Sequence, residues 1–294
     1  MLEGVRRRRL ALPECGVEIA LLDWGGDGPL ALLHHATGFC AAVWELVARP
    51  LRGRFRVIGM DARGHGDSSK PEGDESYRWP LFGDDLVRVA ETLAAECGGP
   101  PLALGLGHSF GGTAMLMAAA RRPGLFERLV LVDPVLPPPV AEAARLARVG
   151  GMAETARQRR ALWPSREAAR AKWAGKELFA AWRPEALDLY LAEALADRAD
   201  GQVELKCPPA VEAAIFAHGP GVDIWQLAAR VKTATLILWA ERGSFPPAMH
   251  RDVASRMPDA RVHALPAGHL MPMEEPERVV AEVLAFAAAQ GSTG

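Results

Sequence analysis

The chain has 294 residues, 49% hydrophobic and 24% charged. This balance suits one folded core and excludes collagen-like, coiled-coil, disulfide-scaffold and disordered classes. A compact chain of this size buries about three quarters of its unfolded surface, and the net charge of −2 offers no global attraction for nucleic acid.

Arg6-Arg7-Arg8-Arg9 ahead of Leu10-Ala11-Leu12 superficially resembles a signal peptide, but Pro13 and Glu14 end the apolar run at once. A basic edge strand is expected there. Gly16 to Asp23 reads as a strand, closed by the turn Gly25-Gly26-Asp27-Gly28-Pro29. Leu30 to Leu33 is a short buried strand ending at His34-His35, and a helical stretch runs from Ala42 to Leu51. Phe55 to Met60 is a further buried strand. Asp84 to Cys97 carries one apolar stripe (Leu86, Val89, Ala90, Leu93, Ala94, Cys97) and is closed by Gly98-Gly99, an amphipathic helix. Pro101 to Leu106 is a strand, Phe110 to Arg122 a helix, and Leu129 to Val132 a strand ending at Asp133. Short apolar runs alternating with helices predict an α/β fold, a mostly parallel sheet with helices on both faces.

The alternation stops from Pro134 to Ala229, where no convincing strand is seen. The block opens with Pro134, Pro137, Pro138 and Pro139 and continues as Ala- and Arg-rich helical stretches. Ten basic and four acidic side chains fall within 141–183, and the block carries Trp163, Trp173, Trp182 and Trp225 of the eight tryptophans. A solvated basic helix face with core aromatics explains this. So does a lid that presents aromatics to a ligand and draws anions towards it. Alternation resumes with a strand at Ala234–Trp239, a helix at Ala248–Arg256, a strand at Arg261–Leu265 and a terminal helix at Glu275–Ala289. Residues 1–133 and 230–294 are therefore expected to form the core, with 134–229 as a helical insertion.

Cys15, Cys40, Cys97 and Cys207 show no zinc-ligand or C-x-x-C spacing and read as reduced thiols of a cytoplasmic protein, Cys97 as a small core residue. No run of ~18 apolar residues supports a membrane span, so no membrane partner is expected.

Gly107-His108-Ser109-Phe110-Gly111 is a G-x-S-x-G between a buried strand and a helix. Turning from strand to helix within one residue lifts the serine hydroxyl above the sheet, at a helix N-terminus that favours a developing oxyanion. The serine needs a base. His269, in the loop between the last strand and the last helix, emerges at the same sheet edge. His263 falls within a strand, His250 and His218 lack a partner signature, and His65 belongs to a Gly-rich turn with a structural role.

With these residues in place, the chain resembles the α/β-hydrolase family over nearly its whole length. The matching pieces are His34-His35-Ala36-Thr37-Gly38-Phe39, Asp61-Ala62-Arg63-Gly64-His65-Gly66-Asp67-Ser68, the turn at Ser109 and Gly268-His269. The resemblance implies an eight-stranded sheet, a helical cap after the sixth strand and no cofactor. It implies an oxyanion hole from the N–H groups of Phe110 and Ala36, with His35 standing where the family commonly has glycine. The family's usual acid follows the seventh strand, where this chain has Gly243 and Ser244, with Glu241 nearby. A second family placement, after the sixth strand, falls on Asp133. Asp133 is favoured as the acid, with Glu241 as the alternative. His35, Phe39, His108, Trp163, Trp173 and Leu270 are candidate pocket residues.

A serine in the nucleophile position argues against haloalkane dehalogenase and epoxide hydrolase chemistry, which needs a carboxylate there. Hydrolysis of a small hydrophobic or aromatic ester or lactone is the first expectation. Amide cleavage, C–C hydrolysis and perhydrolysis can use the same triad. A weakly catalytic ligand-binding sensor is the reading from another class. The expected partner is a small ester-like substrate, with no nucleic acid and no membrane; a homodimer is left open.

Overall fold

The structure is a computed structural model, and it describes residues 2–137 and 151–289. Eleven strands are present among them: β1 Arg6–Leu12, β2 Val17–Gly25, β3 Leu30–His34, β4 Arg56–Met60, β5 Leu104–His108, β6 Arg128–Val132, β7 Leu162–Trp163, β8 Leu195–Asp197, β9 Val203–Leu205, β10 Ala234–Ala240 and β11 Ala260–Leu265. Eight form one sheet in the order β1-β2-β4-β3-β5-β6-β10-β11. β1 and β2 pair antiparallel, as do β2 and β4; the other neighbours run parallel.

The central strands are buried on both faces, which is why they read as unbroken apolar runs. Adjacent side chains alternate between two cores: Leu33, Val57, Leu106 and Val130 face one, and Leu32, Ile58, Leu129 and Leu131 the other. The first core is covered by α1 (Glu45–Leu51) and the C-terminal helix Pro276–Ala288. The second is covered by α2 (Trp79–Glu96), α3 (Phe110–Arg121) and the helix Pro247–Ala254. The arginine strand β1 lies at one sheet edge, with ion pairs from Arg6 to Asp23, Arg8 to Glu96 and Arg9 to Glu18.

Several boundaries differ from the sequence pattern. α2 begins at Trp79, not Asp84, because Pro80 suits a first helical turn and Trp79 and Phe82 bury ahead of the stripe. Cys97 is exposed, not core: it follows the last helical residue, Glu96, and has left the helical conformation (φ −115°, ψ 17°). The last helical stretch breaks at Glu275 (φ −134°, ψ 53°), which Pro276 disfavours in the helical region, into Met271–Glu274 and Pro276–Ala288.

The stretch from Pro134 to Ala229 does contain strands. β7, β9 and β8 form a small antiparallel sheet. Strands of two or three residues are too short for alternation to show in sequence. Around them lie α4 (Gly151–Arg157), α5 (Arg166–Trp173), α6 (Pro184–Glu193), α7 (Pro209–His218) and α8 (Ile224–Ala228). Pro138, Pro139 and the helical pattern read up to residue 150 lie outside the described residues. Trp163, Trp173, Phe179, Trp182 and Tyr190 form a buried aromatic cluster, with Trp163 and Trp173 in edge contact at 5.8 Å. The stretch is tied to the main sheet domain by Trp79 Nε1–H to the Ile215 carbonyl (2.7 Å), Arg183 N–H to the Met273 carbonyl (2.9 Å) and the pairs Arg7–Glu193 and Lys206–Asp67. No helix among the described residues is long and apolar enough to cross a membrane.

Candidate active site

β5 ends at His108, and the chain turns directly into α3. Ser109 occupies the turn at φ 55°, ψ −120°, a left-handed conformation that costs a non-glycine residue of order 1–3 kcal/mol. The glycines on either side are dictated by contact. A Cβ on Gly107 would collide with the Gly111 carbonyl, and one on Gly111 with the carbonyls of His34 and His35. The first turn of α3 is thus pressed against the loop that follows β3. Among the described residues, neither the Phe110 N–H at the helix start nor the Ala36 N–H in that loop has an acceptor.

His269 Nε2 stands 2.9 Å from Ser109 Oγ, and its Nδ1 stands 2.6 Å from Asp133 Oδ2. Asp133 is fully buried, and its carboxylate accepts a hydrogen bond from Nδ1–H, which leaves the Nε2 lone pair to accept from the serine hydroxyl. Asp133 also has a positive φ, 39°. Its N–H donates to the Leu238 carbonyl (2.7 Å), and its Oδ1 accepts from Ala240 N–H (3.1 Å), so β10 holds both ends of the residue. Glu241 is exposed beyond the end of β10, and its N–H donates to the Leu265 carbonyl. Of the two acids weighed from sequence, the one within reach of His269 is Asp133.

The base is held from three sides. His108 Nε2–H donates to the His269 carbonyl at 2.8 Å. The carboxylate of Glu274 accepts from Gly268 N–H (2.6 Å) and Leu270 N–H (3.3 Å), bracketing His269. The Phe245 ring meets the imidazole edge-on at 5.3 Å. A second histidine, His250, is wholly buried beside the acid, with Nε2 at 3.5 Å from Asp133 Oδ1. Burial lowers its pKa and the Asp133 charge works against that. No local pattern marks His250 or Glu274 in the sequence: His250 meets Asp133, 117 residues away, only through the fold, and Glu274 closes on Gly268 and Leu270, six and four residues before it, through the local turn.

The β3 loop is braced by neutral histidines. His34 Nδ1–H donates to the His35 carbonyl (2.9 Å). His35 Nδ1–H donates to the Ala36 carbonyl (2.7 Å), and its Nε2 accepts from Ala62 N–H (3.0 Å). His65 Nε2 accepts from Gly38 N–H (2.9 Å). Desolvation holds His34 at about 3, His35 at about 4 and His108 at about 3, and it drives His65 well below its ordinary value. Both ring nitrogens of His35 are thus occupied by backbone, which makes it a brace and leaves no polar edge for a pocket.

From the other side, Tyr190 Oη–H donates to the Gly38 carbonyl at 2.9 Å. Arg159, between α4 and β7, donates from Nη2 to Tyr190 Oη (3.2 Å) and from Nη1 to Glu212 on α7. Burial opposes the Arg159 charge, and Tyr190 and Glu212 more than offset it, so the guanidinium stays charged. Phe39 packs on Trp182 (5.5 Å) and Tyr190 (5.2 Å), which joins the aromatic cluster to the loop. Trp173 reaches Tyr190 at 5.2 Å; Trp163 lies one ring further away, and Leu270 is buried beside His269. Among the described residues, no group of three or more His, Cys, Asp or Glu side chains could hold a metal ion.

The sheet order and the serine–histidine–carboxylate chain define a class, and the comparisons agree on it. The model of the alpha/beta hydrolase family matches residues 31–283, and the chain belongs to that family. Over 108 residues it is 37% identical to the 2-(acetamidomethylene)succinate hydrolase of Mesorhizobium japonicum, covering 37% of this chain and 36% of that one. Over 98 residues it is 31% identical to protein phosphatase methylesterase 1 of Mus musculus, covering 33% of this chain and 25% of that one. The matched stretch spans about a third or less of these curated relatives. Among solved structures, an E-2-(acetamidomethylene)succinate hydrolase superposes with TM-score 0.79 at 26% identity, covering 96% of this chain and 98% of the other. A malate-bound esterase from Thermogutta terrifontis shares the fold, with TM-score 0.70 at 24% identity, covering 96% and 97%.

Proposed function

We propose that the protein cleaves a carboxylic ester of a small hydrophobic or aromatic substrate through an acyl-enzyme on Ser109. The observation that carries this is the continuous hydrogen-bonded line from Ser109 through His269 to the buried Asp133. His269 takes the Ser109 proton as Oγ attacks the carbonyl carbon. The tetrahedral oxyanion is held by the Phe110 and Ala36 N–H groups. His269 then gives that proton to the leaving alkoxide, and the C–O bond breaks. Water, deprotonated by His269, attacks the acyl carbon; the acid leaves, and the proton returns to Ser109. Asp133 keeps the imidazole in the required tautomer and stabilises the imidazolium.

In the same proposal residues 134–229 cap the site, and four unpaired cysteines support a reducing, cytoplasmic setting. A relative whose name carries an acetamido group makes amide cleavage the second reading. The test is turnover of p-nitrophenyl acetate together with labelling by a fluorophosphonate. Ser109→Ala should lose the label and on the order of 10⁴-fold or more in kcat. Turnover retained by Ser109→Ala, or a label on another residue, overturns the proposal. Labelling without turnover on any ester or amide would favour a ligand-binding sensor.

A further inference from the structure

We propose that Arg159 reads a free carboxylate on the substrate, so that the preferred ester or amide carries a second, anionic end. The inference rests on the Ser109 reading of the same site and names its substrate class.

A Cβ on Gly38 would lie 3.0 Å from Arg159 Nη1 and 2.8 Å from Glu212 Oε1, so both charged groups lie against this glycine of the β3 loop. Gly38 is two residues from Ala36, whose Cα is therefore within roughly 7 Å of its own. The charged head thus stands one substrate fragment away from the N–H group assigned to the oxyanion. A succinyl-sized acyl chain spans such a gap.

Arg159 spends one N–H on Glu212 and one on Tyr190 Oη. Its Nε–H and one N–H on each terminal nitrogen have no acceptor among the described residues. The side chain is 27% exposed, enough for a ligand to reach and little enough for the interaction to escape full screening. Glu212 shows that a carboxylate fits this fork. An incoming carboxylate replaces a group of its own shape and charge, which a larger, doubly charged phosphate does not. Tyr190 couples the pair to the loop through the Gly38 carbonyl, so occupancy of the fork bears on the loop that holds Ala36.

Glu212 therefore has two opposed effects. It keeps Arg159 charged and oriented, and it competes with the substrate. This gives the inference a signature that a structural ion pair lacks. The two substrates are mono-p-nitrophenyl succinate and p-nitrophenyl butyrate, matched in length and differing in the terminal carboxylate. The readout is the ratio of their kcat/KM values on one preparation, which is independent of the folded fraction. Arg159→Gln should lower the succinate-to-butyrate ratio by about tenfold or more, the scale of a charge-assisted hydrogen bond. Glu212→Gln should raise it. Ratios that move together in the two variants, or do not move, overturn the inference. A second arm measures monomethyl succinate binding to Ser109→Ala by calorimetry, with and without Arg159→Gln. Binding weakened about tenfold by Arg159→Gln supports the carboxylate site even if turnover fails, in which case the ester-hydrolase proposal falls alone. Binding that ignores Arg159 overturns the carboxylate site and leaves the proposed chemistry standing.

Discussion

Asp133 is held in a conformation that few residues tolerate, φ 39°, by the hydrogen bond its N–H gives to β10 and the one its Oδ1 accepts from β10. Asparagine keeps the shape and removes the charge, offering an N–H where the imidazole also carries one. Asp133→Asn should therefore lower kcat by about 10⁴-fold, while Glu241→Gln, on an exposed residue, should stay within roughly threefold. Comparable losses in both would move the acid. The neighbourhood of Asp133 explains why the position after β10 carries no acid. A Cβ on Gly243 would lie 3.2 Å from Asp133 Oδ2, so a carboxylate grown there would reach towards the same imidazole nitrogen. Two family placements thus converge on one point in space. In an Asp133→Ala background, Gly243→Asp should recover part of the lost rate, about tenfold or more against the single variant. No recovery in a folded double variant would show that the geometry at β6 is required. His250, facing the other carboxylate oxygen, is the group that sequence order gave no reason to place there.

At the scale of elements, the site depends on α3 and the β3 loop touching backbone to backbone. Gly111→Ala should force the two apart, because the methyl would meet the His34 and His35 carbonyls, which cannot rotate away. Overpacking of this kind costs about 1–3 kcal/mol, readable as a lower urea midpoint with an unchanged slope, and activity should fall further than stability. An unchanged midpoint would refute the close approach. The same contact shows what was legible in sequence. Gly107, Ser109 and Gly111 stand in one short motif whose spacing encodes the turn, and buried parallel strands such as β3 and β6 read directly from apolar runs. Asp133 was reachable through the family resemblance, which allows an acid after the sixth strand, and His269 because it lies in the loop after the last strand. β7, β8 and β9 were not, since two or three residues carry no period. The Arg159–Glu212–Tyr190 group was also hidden, because its members meet only through the fold, and Glu274 was hidden because nothing in the sequence marks a carboxylate that closes on the backbone either side of His269.

For the whole molecule, the buried histidines set the response to acid. His34, His35 and His108 have folded pKa values of about 3, 4 and 3, pushed down from 6.5 first by desolvation. Between those values and 6.5 the unfolded chain binds protons that the native chain refuses. Stability therefore falls as pH drops below 6.5. At pH 5 each such histidine costs about 2 kcal/mol relative to neutral pH, so the three together cost about 6. Asp61 acts in the opposite sense. Burial raises its carboxyl to about 6, so the native chain takes up a proton first and gains about 1 kcal/mol by pH 5. Asp85, also raised by burial, adds in the same direction, and His65 adds to the histidine side. The histidines win on number. A net loss near 5 kcal/mol is comparable to the whole stability of many domains, about 5–15 kcal/mol. Urea unfolding at pH 7.5, 6 and 5 should show a midpoint that falls steadily through this window. Because three of these rings brace or adjoin the β3 loop, turnover should disappear with the fold in the same range. A midpoint that is flat or rises towards pH 5 would mean that these histidines are not held neutral.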